Sequence, residues 1–238
     1  MRQLTLGVQL KERATFASFL TARNVEVVAH LRQLAADAPG GATWIAGPHT
    51  AGKSHLLQAV CAAAPAGRRA AYLPLESLLP FGPGALDGAD ELDLACYDDV
   101  QCVAGLEDWE RRLFSLWQRA LERNTTLLFA ARETPARVDF DLADLKSRLA
   151  SSTVFAVREL NDEEQLQALD LRAHLRGFEL PAETARYLQR RFPRDMRTLC
   201  EVLDTLDDAA FAAQRRLTVP FIRAIVDAKT PADAKTRS

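Results

Sequence analysis

The amino-acid sequence predicts an α/β domain, a mostly parallel sheet covered by helices, followed by a small all-α domain. Three observations carry this. Short apolar runs alternate with helical patterns as far as Val157, the signature of strand–helix–strand units. A glycine-containing segment that ends in Lys-Ser stands between one apolar run and a helical pattern. From Glu159 onward the strand-like runs stop and the remainder reads as helices.

Each element has a local reason. Strands are expected at Thr43–Ala46, Ala70–Leu75, Asp93–Asp98, Thr125–Ala130 and Thr153–Val157, short apolar or β-favouring runs. Between the third and fourth, Asp108–Arg123 is expected to be a helix in which Trp109, Leu113, Trp117 and Leu121 form one apolar stripe on the sheet. That periodicity makes the tryptophans core residues rather than a ligand cage. In the second part Asn161-Asp162 can cap a helix that runs to Arg176, with Gly177 as its stop. Pro181 opens a second helix, Pro193 a third and Thr218-Val219-Pro220 a fourth. The expected divisions are a polar tail over 1–14, an α/β base over 15–158, a helical domain over 159–228 and a tail over 229–238. The last of these, KTPADAKTRS, is polar and aperiodic and is expected to be disordered. No internal repeat is present.

Composition narrows the classes of function. Among 238 residues, 30 Lys+Arg face 32 Asp+Glu, a net charge of −2, and 48% are hydrophobic. A surface that neutralises many phosphates needs a clustered basic excess, so duplex DNA is not expected as a direct ligand. No apolar run approaches the roughly 20 residues that cross a bilayer, and the first residues lack a continuous apolar signal region. No membrane association and a cytoplasmic location are therefore expected. Cys61, Cys96, Cys102 and Cys200 lie without CxxC spacing, and the four histidines form no HxxxH pair. Buried thiols, no structural metal and no disulfide framework follow as expectations.

The strongest chemical signal is a complete GxxxxGKS, running through Gly47, Pro48, His49, Thr50, Ala51, Gly52, Lys53 and Ser54, with His55 next in the helix. Its glycines let successive N–H groups face a phosphate, Lys53 supplies a cation, and the Ser54 hydroxyl can ligate Mg²⁺. By composition alone such a match arises in about 1% of chains of this length. A glycine turn that merely linked strand to helix would not need the lysine. A phosphate loop of this kind also needs a carboxylate at the end of a neighbouring buried strand. Leu94-Ala95-Cys96-Tyr97-Asp98-Asp99 supplies it, with Asp98 as the Mg²⁺ partner and Asp99 placed to orient a water towards the γ-phosphate. The bland alternative is an aspartate pair that caps the following turn.

With these two runs in hand, the chain resembles the AAA+ ATPases, and among them the initiator clade typified by the replication initiator DnaA. Asp144-Leu145-Lys146-Ser147-Arg148-Leu149 is similar to the segment that carries the clade's arginine finger, which implies that role for Arg148. The plain reading of Arg148 is a helix-end arginine paired with Asp144. Pro193-Arg194-Asp195-Met196-Arg197-Thr198-Leu199 resembles the sensor 2 helix, which implies that Arg194 reaches back from a lid to the nucleotide. The plain reading of Arg194 is a partner for Asp195 or Glu201. Thr15–Phe19 resembles the clade's adenine-pocket segment.

DnaA adds a DNA-binding domain and a separate N-terminal domain, for which no residues are expected here, so the resemblance extends to the truncated regulators that inactivate DnaA. LQALDLRAHLRGFELP (166–181) and AQRRLTVPF (213–221) are similar to the lid of that branch. The resemblance implies an ADP- or ATP-bound protein with Mg²⁺ that is tethered to the DNA polymerase III sliding clamp (beta subunit) and makes DnaA hydrolyse its ATP. Gln3-Leu4-Thr5-Leu6 resembles the clamp-binding peptide, in which Gln3 offers an amide and Leu4 and Leu6 fill an apolar pocket; Gly7 and Val8 depart from the usual ending. On the strand where AAA+ proteins place a polar sensor 1 residue stand Ala130 and Ala131, followed by Arg132, so weak hydrolysis by the chain itself is expected. Self-association stays open. Two rival functions remain: an independent ATPase such as a helicase loader, and a phosphotransferase, which would need its own acceptor pocket.

Overall fold

The computed structural model describes residues 14–193, 195–213, 220 and 222. The chain divides into two compact units, Met1–Glu159 and Leu160–Ser238. The first holds five strands, β1 (Gly41–Ala46), β2 (Ala70–Pro74), β3 (Leu94–Asp98), β4 (Thr126–Ala131) and β5 (Thr153–Ala156), in the order β2-β3-β4-β1-β5 with every pairing parallel. Each strand falls within two residues of the apolar run that predicts it. The helices of this unit are α1 (Val25–Asp37), α2 (Lys53–Ala63), the single turn α3 (Leu75–Leu78), α4 (Glu107–Arg123) and α5 (Ala143–Ala150).

Successive strand residues point to opposite faces, and helices cover both. On one face Trp44, Ala95, Tyr97, Leu127 and Phe129 pack with Trp109, Leu113, Leu116 and Trp117 of α4. On the other, Ile45, Leu94, Cys96 and Leu128 pack with Leu31 of α1 and with Leu56, Leu57 and Val60 of α2. Burial on both sides explains why β3 and β4 are apolar along their whole length rather than alternating. Because β4 lies between β1 and β3, the carboxyl ends of β1 and β3 flank its end. Open α/β sheets bind ligands outside the carboxyl ends of their strands. That is where the Gly47–Ser54 loop begins and where Asp98 ends its strand.

Three expectations need correction. Leu121 is 60% exposed rather than part of the apolar stripe. A spacing of four residues drifts by about 40° per step, so Leu121 has turned about 120° from Trp109, while Leu116 and Ala120 keep the stripe on the sheet. Only Cys96 is fully buried; Cys61, Cys102 and Cys200 are half-buried. The third helix of the second unit starts at Met196 rather than at Pro193, because Asp195 accepts the Thr198 N–H at 2.8 Å and closes the first turn.

That second unit contains α6 (Asp162–Leu175), α7 (Ala182–Arg191) and α8 (Met196–Ala213). Asn161 caps α6 reciprocally: its side chain accepts the Glu164 N–H at 2.9 Å, and Glu164 accepts the Asn161 N–H at 2.7 Å. Gly177, at φ +82°, ends the helix in a left-handed turn, and α7 follows Pro181. Leu169, Leu180, Leu188, Leu199, Leu203 and Ile222 form its core. Thr218, Val219 and the segment 229–238 lie outside the described residues; Pro220 and Ile222 are helical. Among the described residues no helix is long and apolar enough to cross a membrane.

Leu128, wholly buried in β4, and Leu121 on the exposed side of α4 make a paired test. Leu128→Ala is expected to lower unfolding stability by about 2–5 kcal/mol, and Leu121→Ala to change it by less than about 0.5 kcal/mol, read from urea denaturation midpoints.

Candidate functional site

The Gly47–Ser54 loop leaves β1 from a fixed point. Gly47 N–H donates to Ala131 O at 3.2 Å, and Val157 N–H donates to Ala46 O at 2.7 Å, so strands on both sides hold the exit. A Cβ on Gly47 would lie 2.3 Å from the Val157 carbonyl oxygen, which leaves no room for a side chain. Gly52 has φ +90°, and a Cβ there would lie 2.9 Å from the Phe19 ring. Pro48, His49 and Thr50 form the exposed outer part of the loop, Ala51 is buried beneath it, and the Thr50 hydroxyl bonds the Glu159 carboxylate. Lys53 opens α2 and is only 3% exposed; its Nζ donates to Gly47 O at 2.8 Å and Pro48 O at 2.7 Å. Burial pushes the Lys53 pKa down, against the opposing charges of Asp98 and Asp99. No side chain caps α2, so its first N–H groups face the loop.

The two aspartates take different environments. Asp98 is 1% exposed: Oδ2 accepts the Tyr72 hydroxyl of β2 at 2.8 Å, and Oδ1 accepts the Asp99 N–H at 3.0 Å. Burial raises the Asp98 pKa, while a hydrogen bond from Ser54 lowers it, the Asp99 charge raises it and the Tyr72 bond lowers it. Tyr72 is held protonated by burial and by the Asp98 charge. Asp99 adopts a left-handed backbone, φ +52° and ψ +43°, which aspartate tolerates better than most residues. Its Oδ1 accepts the Gln101 amide at 3.1 Å, and Gln101 Oε1 accepts the Arg132 N–H at 3.3 Å. Gln101 thus ties the end of β3 to the end of β4. Sequence reasoning missed Tyr72 and Gln101 beside the carboxylates: strand register brings Tyr72 to Asp98, and the turn after β3 brings Gln101 to Asp99.

Thr15–Phe19 packs beside the start of α2. Phe16 is buried beneath the Arg32 guanidinium, 5.1 Å from its centroid, and Phe19 lies 5.5 Å from the His55 ring. His55 Nε2 donates to Thr15 O at 2.9 Å, so this side chain anchors the segment rather than lining the loop. Asn24 bonds the backbone of Arg158 through both its amide and its carbonyl, at 2.9 and 2.8 Å.

Several solved structures share this architecture. Domain III of the Thermotoga maritima replication initiation protein DnaA aligns at TM-score 0.74 and 17% identity, covering 91% of this chain and 97% of that one. AMPPCP-bound DnaA from Aquifex aeolicus aligns at 0.64 and 21%, covering 84% of this chain and 66% of that chain. The RuvB Holliday junction branch migration motor of Thermotoga maritima aligns at 0.59 and 15%, covering 85% and 68%. At these identities the likeness is one of fold. Residues 162–226 match the family model of Hda, lid domain. The second unit is thus similar to the lid domain of Hda, and the chain shares its fold with domain III of DnaA.

The other residues singled out by the resemblance can now be placed. Arg148 lies on the exposed side of α5, and among the described residues it forms no ion pair with Asp144, the plain reading of its spacing. On β4, Ala130 and Ala131 are fully buried and bring no polar side chain to the sensor 1 position, and Arg132 is exposed. Arg194 of the sensor 2 motif and the peptide residues Gln3, Leu4 and Leu6 lie outside the described residues.

The raised Asp98 pKa has a stability consequence. A carboxyl that holds its proton more tightly when folded penalises the fold above its folded pKa, and the penalty disappears as pH falls into the ordinary carboxylate range. Asp98→Asn is therefore expected to raise the melting temperature at pH 7 without nucleotide, and to lose that gain near pH 4, as scanning fluorimetry across pH would read.

Proposed function

We propose that this protein is a cytoplasmic negative regulator of replication initiation. In this reading it binds ADP or ATP with Mg²⁺ and, tethered to the DNA-loaded sliding clamp, stimulates hydrolysis of the ATP held by DnaA. The observation that carries the reading is an asymmetry in the site. Lys53, buried and bonded to the loop carbonyls, and Asp98, buried and hydrogen-bonded by the half-buried Ser54, suit the holding of a nucleotide, whereas β4 offers alanines and Gln101 engages Asp99. Such a site suits retention of nucleotide better than rapid turnover. Meanwhile Arg148 stands exposed with its guanidinium uncommitted among the described residues, the state required of a group that serves another molecule's phosphate.

The Hda lid match and the AMPPCP-bound DnaA structure support the choice of partner and of ligand class. The loop N–H groups and Lys53 would hold the phosphates, and Ser54 with Asp98 would hold Mg²⁺, which neutralises phosphate charge when bound. Asp98 fits that task, being a buried carboxylate beside the Ser54 hydroxyl with hydrogen-bond donors on both oxygens and no ion pair among the described residues. Arg194 would reach the same nucleotide from the lid and couple its presence to the lid's angle. Gln3, Leu4 and Leu6 would supply the tether to the clamp.

The test is single-turnover hydrolysis of ATP preloaded on DnaA, with and without clamp-loaded DNA. Arg148→Ala is expected to lose stimulation by about 10³-fold or more while its own nucleotide affinity is unchanged. Lys53→Ala should lose nucleotide and stimulation together, and Gln3→Ala should lose the clamp-dependent part alone. If DnaA-bound ATP is untouched while the chain consumes ATP by itself, the chain is instead an independent AAA+ ATPase of the helicase-loader kind, with Asp99 activating the water.

A further inference from the structure

We infer that Glu110 is a positioning residue for Arg148, a buried carboxylate that fixes where α5 begins and so where the arginine is presented. This rests on the role proposed above for Arg148. Glu110 lies in the first turn of α4 and is 1% exposed. Its Oε1 accepts the Gly105 N–H at 2.7 Å and the Asp141 N–H at 3.1 Å, and its Oε2 accepts the Leu142 N–H at 2.6 Å. Gly105 belongs to the approach to α4, where a left-handed φ of +77° turns the chain. Asp141 and Leu142 are the approach to α5, whose N-cap, Leu142, makes no side-chain cap of its own. One carboxylate therefore ties together the starts of two helices. Among the described residues no cation pairs with Glu110; its charge is met by three backbone donors and by the positive end of α4.

The geometry divides the placement of α5 between two constraints. Leu145 and Leu149, four residues apart and wholly buried against the α4 side of the sheet, set the rotation of the helix about its axis. The Glu110 bonds set its position along that axis. Arg148 is six residues beyond Leu142, roughly 9 Å along a rigid helix, so displacement at the start is carried to the guanidinium. An amide in place of the carboxylate keeps the size but offers a single acceptor oxygen, and its NH₂ group meets an N–H that needs an acceptor. Glu110→Gln thus releases one attachment without opening a cavity.

The experiment compares wild type, Glu110→Gln and Arg148→Ala in the DnaA-bound ATP assay with clamp-loaded DNA, and follows backbone hydrogen exchange. For Glu110→Gln the maximal stimulated rate should fall on the order of 10- to 100-fold, the effect of a misplacement of about 1 Å, while the half-saturating chain concentration stays constant. Amide exchange should accelerate at 142–146 and stay unchanged in β1, β3 and β4. A merely structural role would shift the half-saturating concentration, through a smaller folded fraction, and leave the maximal rate; that result overturns the inference. So does wild-type stimulation by Glu110→Gln when Arg148→Ala gives none. Stimulation by Arg148→Ala overturns the proposed function itself. If Glu110→Gln does not fold, Glu110→Asp keeps the charge but draws the carboxylate back by one methylene from the Asp141 and Leu142 N–H groups, and the same outcomes apply.

Discussion

The exit of β1 is held from both sides, and the Gly47–Ser54 loop depends on it. β4 accepts the Gly47 N–H, and the chain leaving β5 donates to Ala46, so the ladder continues past the strands on either side of the loop's first residue. Only a residue without a Cβ fits against the Val157 carbonyl there. That closeness orients the loop, the loop places Lys53, and α2 then carries Ser54 towards Asp98. A parallel sheet makes this possible because all its carboxyl ends emerge on one side.

Polar atoms around this exit are distributed unevenly. Towards β3 the carboxylates are surrounded by a tyrosine hydroxyl, a serine hydroxyl, a backbone N–H and the Gln101 amide. At the end of β4 the buried side chains are the methyl groups of Ala130 and Ala131, followed by the exposed Arg132, whose charge is felt by Lys53. On α5, by contrast, Arg148 is carried on a helix that is well anchored at its start and on its inner face. The carboxylates and the exposed arginine thus stand on separate parts of the base.

Much of this was legible in the residues alone. The central strands β1, β3 and β4 could be read because burial on both faces forces nearly continuous apolar runs, and the Gly47–Ser54 turn between β1 and α2 because its glycines meet local backbone requirements. Leu121 was misplaced because a repeat of four imitates helical periodicity over two turns and departs from it over three. The start of α8 was misplaced because proline is compatible with a helix start, whereas Asp195 supplies the bond that creates one. Tyr72, Gln101 and Glu110 escaped notice for another reason. Tyr72 and Glu110 act on groups 26 and 32 residues away, and Gln101 joins the ends of β3 and β4 across 31, through contacts that exist only once strands and helices are in register. No periodicity or motif spacing encodes such contacts.

The two bonds from Lys53 to the carbonyls of its own loop bear on how an anion settles there. They occupy two of the three N–H donors of the ammonium and fix the direction of the third. The side chain is therefore oriented before any ligand arrives, and an anion that meets the remaining donor does not have to pay for ordering a long, flexible side chain.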